Sequence, residues 1–302
     1  MKQADTAPHA NRDFPPLPRA LDAPLAELDT PATGRVAYYA DKAGDGRPLL
    51  LVHSINAAPS SFELKPVFER FRSERPVYSI DLPGFGQSER GDRDYSPALY
   101  AQAIELILER VIGTPADVIA LSLSAEFAAR ARLFVPGKIA SLVLISPTGF
   151  GKSTVPSPRV GRVAHRVLTT RLWAQGLFDL VTSRQSIRYY LDKSFTDAAP
   201  QALVDYAYAT SHQPGARYAP LTFLSSRLFT RDVLNLLYAR ITDIPVLAIA
   251  DRDPYVRFDL LPRFVASRPN WRHETLAPHM GLPHWEQPDA TFELLKGFWR
   301  GN

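Results

Sequence analysis

The sequence predicts an α/β protein: a mostly parallel sheet covered by helices on both faces, with a helical insertion in its second half. Three observations predict it. Short runs are apolar throughout, as in PLLLVHS (48–54), ADVIAL (116–121) and KIASLVLISP (138–147). Such runs are the mark of strands buried on both faces of a parallel sheet. Helical periods separate them, clearest in SPALYAQAIELILERVIG (96–113) and SAEFAARARLF (124–134). Strand and helix therefore alternate as in βαβ units. The rhythm then breaks. Residues 148–240 carry helical patterns interrupted by PSP, QPG and APL, without a convincing buried strand, before IPVLAIAD (244–251) resumes the alternation.

Taken in order, residues 1–34 are rich in Pro, Asp and Ala and lack a clean period, so an extended surface arm is expected. GRVAYYA (34–40) alternates enough for a strand, and DKAGDGR turns the chain. Residues 60–72 suit a helix, and PVYSIDLPG (76–84) is a buried strand ending in a Pro-Gly loop. Ser96 can cap the next helix, Pro97 suits its first turn and Gly113 stops it. A last strand is expected at 271–276 and a last helix from about 288 to 300. The division is an arm over 1–34, a core over 35–147 and 241–302, and a helical cap over 148–240.

Composition narrows the chemistry. The chain has 302 residues, enough for one large domain with an insertion, and contains no cysteine. Disulfides, thiolate catalysis and cysteine metal sites are excluded, and a reducing, cytoplasmic location is expected. No run of eighteen apolar residues is present, so no transmembrane segment is expected. The opening MKQADTAPHANRDFPPLPRA lacks the apolar stretch of a secretory signal. The net charge is only +4, from 35 basic and 31 acidic residues, without the clustered basic stripe that nucleic-acid binding wants. Nothing in the sequence specifies an oligomeric state.

The richest stretch is DVIALSLSAEFAAR (117–130). A buried strand runs through ALSLS straight into a helix, with Ser122 at the turn. A nucleophile on so tight a turn needs small neighbours, because a bulky Cβ would collide with the crossing backbone. Ala120 and Ser124 meet that need. The helix behind would aim its N-terminal dipole and free N–H groups at developing negative charge. The bland alternative is that Ser122 only caps a helix.

The order of motifs resembles the α/β-hydrolase family, in particular its capped esterase, epoxide-hydrolase and haloperoxidase-like branches. LLLVHSINAAPSSF resembles the family's oxyanion-loop stretch, DLPGFGQSER a loop typical of those branches, ALSLS the nucleophile elbow, ADRDPYV (250–256) the acid loop, and LPHWEQP (282–288) the segment just after the base. Two residues depart. Ser54 stands where glycine is usual, and a gapless alignment places the family's histidine on Gly281.

The resemblance implies a serine hydrolase cleaving an ester or related acyl bond through a Ser122 acyl-enzyme, without a metal or organic cofactor. It implies Asp253 as the acid, with Asp251 as rival, and the backbone N–H groups of Ile55 and Leu123 as oxyanion donors. The base stays open. His279 would serve if the loop is re-routed, since two extended residues span about 7 Å. His284 would serve from one turn lower on a helix. The third possibility is that no base exists and the protein is a non-hydrolytic or ligand-binding member with a degraded triad.

The cap adds two expectations. Tyr189, Tyr190, Tyr206, Tyr208, Phe223 and Trp173 make it aromatic, favouring a small-molecule substrate with apolar or aromatic groups. In RVGRVAHRVLTTRLWAQGLFDLVTS (159–183), Val160, Val163, Val167, Trp173, Leu177 and Val181 fall near helical spacing, while Arg159, Arg162, Arg166 and Arg171 ring the other face. Packing over the pocket is the commoner role for such a face; lying on an anionic membrane is the rarer one.

Overall fold

The computed structural model describes residues 15–301. Residues 1–14, which open the expected arm, lie outside the described residues. The strands are β1 (Leu25–Thr30), β2 (Gly34–Asp41), β3 (Leu49–Val52), β4 (Val77–Ile80), β5 (Ala116–Leu121), β6 (Ile139–Ile145), β7 (Val246–Ile249) and β8 (Trp271–Glu274). They form one sheet in the order β1-β2-β4-β3-β5-β6-β7-β8. β2 runs antiparallel to both neighbours, and every later pairing is parallel.

The unbroken apolar runs follow from burial on two sides. Leu49 and Leu51 of β3 enter one core, and Leu50 and Val52 enter the other. Ile119 and Leu121 of β5 share the first core, and Val118 and Ala120 the second. Fully burying each larger aliphatic side chain stabilises the fold by about 1.5–3 kcal/mol. Helices α1 (Lys65–Phe71), α2 (Pro97–Leu106) and α3 (Ser124–Phe134) follow β3, β4 and β5 in turn. α1 packs its Phe68 and Phe71 into the first core, whereas α2 and α3 pack Leu99, Ile104 and Phe127 into the second. The Ser96 hydroxyl caps α2 by accepting from Leu99 N at 3.2 Å. The helix continues as a wider turn over Ile107–Ile112 and stops at Gly113, φ +76°.

Between β6 and β7 come α4 (Pro158–Leu168), α5 (Ala174–Val181), α6 (Arg184–Asp192), α7 (Gln201–Ser211), α8 (Tyr218–Leu224) and α9 (Val233–Leu236). The chain closes with α10 (Leu261–Ala266), α11 (Pro283–Glu286) and α12 (Pro288–Arg300). Among the described residues, no helix is long and apolar enough to cross a membrane.

One stretch of the expected arm is a strand. Residues 25–30 pair with β2 from Leu25↔Tyr39 to Thr30↔Gly34. This edge strand exposes Glu27 and Asp29, so its pattern is too polar to resemble the buried strands. Charges on an edge also discourage pairing with a foreign strand.

Candidate active site

The parallel strands finish side by side, with Val52 opposite Ala120, Leu121 opposite Ile145, and Ile145 opposite Ile249. Crevices beyond such carboxyl ends are where open α/β sheets place their chemistry. Ser122 occupies the β5 end at φ +51°, a left-handed conformation that a side chain rarely adopts. Three backbone bonds hold it there. Its N–H donates to Ile145 O at 2.9 Å, and its carbonyl accepts from Ala125 N at 3.2 Å and Thr148 N at 3.4 Å. Its half-buried side chain stands at the entry to α3, with fully buried Ala120 and Ser124 around the turn.

The loop after β3 is tied to that turn. The Ser124 hydroxyl donates to His53 O at 2.6 Å. The buried His53 ring donates from Nδ1 to Ser54 O at 2.6 Å and accepts at Nε2 from Leu82 N at 3.0 Å, which makes it a brace between loops. Glu63 is the larger brace. Its carboxylate accepts from Ser54 N at 2.8 Å, Ser54 Oγ at 3.0 Å and Asn56 Nδ2 at 2.8 Å. The loop is thereby fixed while Ile55 N–H stays uncommitted. No acceptor among the described residues takes the N–H of Ile55 or Leu123.

Asp253 follows β7. Its Oδ1 accepts from Tyr255 N at 2.7 Å and Val256 N at 2.8 Å. Burial pushes its carboxyl up to about 6, against the opposing pull of those two N–H groups and the Ser146 hydroxyl. Ser146, at the end of β6, shares the left-handed backbone at φ +47° and donates to Gly281 O at 3.1 Å. Asp253 Oδ2 faces Gly281, where an added Cβ would lie only 2.8 Å away. Gly281 itself has φ +123°, a conformation that favours glycine. Asp253 thus faces the residue that a gapless alignment puts at the family's histidine, and that residue has no side chain.

The two flanking histidines make other bonds. His279 is buried, with Nδ1 accepting from Gly281 N at 3.1 Å and Nε2 lacking a partner among the described residues. Burial lowers its pKa, with Asp251 and Glu286 pulling the other way. Asp251 accepts from His279 N at 3.4 Å, so the rival acid serves this loop. His284, buried on α11, donates from Nε2 to Glu63 O at 2.8 Å, and burial brings its pKa down to about 4. Ser122, the free N–H groups and Asp253 are brought to one edge, and among the described residues neither His279 nor His284 is hydrogen-bonded to Ser122 or Asp253.

Two members of this arrangement escaped the sequence reading: Glu63 and Ser146. An acid inside the otherwise apolar SFEL was a usable signal for Glu63, whereas a serine at a strand end gave little for Ser146.

A cavity of about 570 Å³ adjoins the elbow, lined by Glu126, Thr148, Lys152, Arg231, Tyr255 and Arg257 among others. Thr148, whose N–H reaches Ser122 O, connects the two. Buried Glu126 accepts from Thr148 Oγ1 at 2.6 Å and Thr230 N at 2.7 Å, and burial raises its pKa. The six aromatics singled out in the cap do not line this cavity. Tyr206 instead stacks on Phe62 at 4.7 Å, while Trp173, Tyr189 and Tyr190 are exposed. Among the described residues, no group of three or more His, Asp or Glu side chains is placed to hold a metal ion.

Comparison with known proteins agrees with this architecture. A serine hydrolase involved in carbazole degradation superposes with a TM-score of 0.71 at 13% identity, covering 92% of this chain and 100% of that one. A carboxylesterase from Bacillus subtilis gives 0.67 at 18% identity, covering 93% of each chain. These likenesses are of fold. A 1-acylglycerol-3-phosphate O-acyltransferase of Rattus norvegicus is 30% identical over 112 residues, which span 34% of this chain and 30% of that relative's length. Residues 49–294 match the model of the alpha/beta hydrolase family, and the chain belongs to that family.

Proposed function

We propose that the protein is a slow acyl-transfer enzyme acting on small-molecule esters through a Ser122 acyl-enzyme. The observation that carries this reading is the left-handed Ser122 turn at the start of α3, beside two uncommitted N–H groups. Ser122 Oγ attacks the acyl carbonyl, and the oxyanion is held by the N–H groups of Ile55 and Leu123. The alkoxide then departs, leaving the acyl group on Ser122, and water or another alcohol takes it off. In this reading Asp253 keeps the acid's place, while His279 and His284 hold their loop and helix and do not serve Ser122. Without a resident imidazole, the Ser122 proton passes through solvent water to the departing alkoxide, which leaves as the alcohol. Removing a triad member slows acyl transfer by on the order of 10⁴-fold or more, while the oxyanion hole retains part of the catalysis. The name of the rat relative supports acyl transfer as the reaction class.

The test is labelling with a fluorophosphonate probe at pH 7–9, read by peptide mass spectrometry, alongside turnover of an activated nitrophenyl ester. A slow adduct on Ser122, absent in Ser122→Ala, is expected. A second reading, ligand binding without turnover, is favoured by Gly281 facing Asp253. Folded protein that forms no adduct and turns over no ester would establish that reading over the first.

A further inference from the structure

The apolar stripe of α4 does not pack over the site. Val160, Val163 and Val167 lie at i, i+3 and i+7 and so share one face of the helix. Together with Leu172 and Trp173 they are between 46% and 86% exposed. The helix touches its neighbour α8 with another face. His165 Nε2 donates to Thr222 Oγ1 at 3.2 Å, and a Cβ on Gly161 would stand 3.2 Å from Ser225 O. Trp173 joins the stripe because its indole N–H donates to Val167 O at 2.9 Å, folding the ring back against the last turn of α4. Arg159, Arg162 and Arg166 repeat the valine spacing about 100° around the helix. None of the three has a carboxylate partner among the described residues. No acidic residue stands anywhere from Lys152 to Phe178.

From this juxtaposition we infer that α4 and the turn at Leu172–Trp173 form a docking surface for an anionic lipid membrane. The helix lies in the plane of the interface, with the valines, Leu172 and Trp173 among the acyl chains and the arginines at the headgroups. Each half of the surface fits that occupant. Exposed aliphatic and indole groups gain by leaving water, and the guanidinium groups gain from anionic headgroups. A second copy of the chain fits poorly, since it would bring another acid-free, cationic segment to the same contact. The inference does not depend on what Ser122 does.

Vesicle flotation tests it, using phosphatidylcholine alone and phosphatidylcholine mixed with phosphatidylglycerol. The intact protein should float with the anionic vesicles and be released by 0.5 M salt. Its tryptophan emission should shift to the blue on binding, a shift lost in Trp173→Phe. Replacing Arg159, Arg162 and Arg166 together by glutamine should weaken binding by about fivefold per charge. Replacing Val160, Val163 and Val167 by serine should abolish it while leaving the melting temperature unchanged, because those side chains are already exposed. Failure of the folded protein to float with anionic vesicles would overturn the proposal. So would equal binding by the serine variant, or sedimentation showing a dimer through this face that the serine substitutions dissolve.

Discussion

The loop after β3 and the loop after β8 face the same strand ends and are fixed very differently. The first has a dedicated brace, since Glu63 accepts from Ser54 N, Ser54 Oγ and Asn56 Nδ2, and its own carbonyl receives His284 Nε2 and Trp285 Nε1. The second turns at Gly281 through a left-handed backbone and places a buried imidazole, His279, on its own chain. One loop is held so that a backbone donor stays free; the other leaves the face of Asp253 bare. Under the proposed function, oxyanion stabilisation and proton transfer would then be separable parts of this architecture. Free backbone N–H groups stand at one loop, whereas at the other Asp253 meets a residue without a side chain.

The strongest way to break the first half is Glu63→Ala. It removes a buried acceptor from three donors at once and should destabilise the protein by about 3 kcal/mol, read as a fall in the urea midpoint. Labelling of Ser122 should slow in parallel, because the Ile55 N–H loses its fixed position. Glu63→Gln should recover part of both losses. Equal labelling rates in the alanine variant would show that the brace does not position the donor.

The converse experiment supplies the second half. Gly281→His places an imidazole opposite Asp253, and general-base assistance should then raise the rate of Ser122 labelling by on the order of 10²-fold. The new Cβ lies 2.8 Å from Asp253 Oδ2 on a backbone at φ +123°, so the loop must shift to admit it. A melting temperature lowered by strain of about 1–3 kcal/mol is expected alongside the gain. A folded variant without any gain would place the missing step somewhere other than the base.

How much of this was legible follows the range of the interactions. The elbow was legible because it is local: ALSLS joins a buried strand to a helix, and only small residues fit such a turn. Most buried strands were legible for the same reason, each a short run without polar interruption. β1 was not, because an edge strand with alternating charges has no apolar signature of its own. The Glu63 brace joins residues only seven to nine apart, but no strand or helix period encodes a side-chain acceptor, and the bond from His284 to Glu63 O spans 221 residues. Gly281 could be placed by alignment, but neither the reach of His279 nor that of His284 is written in local spacing. The period of α4 revealed a stripe, while which face meets α8 depends on Gly161 and His165, and no period shows that.

Asp253 offers a smaller, pH-dependent contrast between the halves. Its carboxyl is raised from 3.8 to about 6 by burial. The folded protein therefore holds its proton more tightly than the unfolded chain. Stability is full below pH 4, where both states are protonated. It declines as pH rises from about 4 to 6, where the unfolded chain ionises first, and is level above that. Asp253→Asn keeps an acceptor for the Tyr255 and Val256 N–H groups and escapes the charge. It should be more stable than the parent by roughly 3 kcal/mol at pH 7, with no difference below pH 4. Unfolding curves at the two pH values check it. A gap of the same size at both would mean that the carboxyl's charge is not the cause.

The smallest expected effect is the most useful for the base. His279 accepts from Gly281 N while its other nitrogen lies buried without a partner among the described residues. His279→Leu loses the first bond and relieves the second group, and the two changes oppose each other, so stability should move by no more than about 1 kcal/mol. If the ring only holds its loop, labelling of Ser122 should stay within about twofold, whereas loss of a general base removes about 10²-fold or more. His284→Ala should act on stability, through Glu63 O, and leave the pH dependence of labelling unchanged. A large loss of labelling in folded His279→Leu would mean that the 277–282 loop swings its imidazole to Ser122 during the reaction, and the contrast between the two loops would then describe only the resting enzyme.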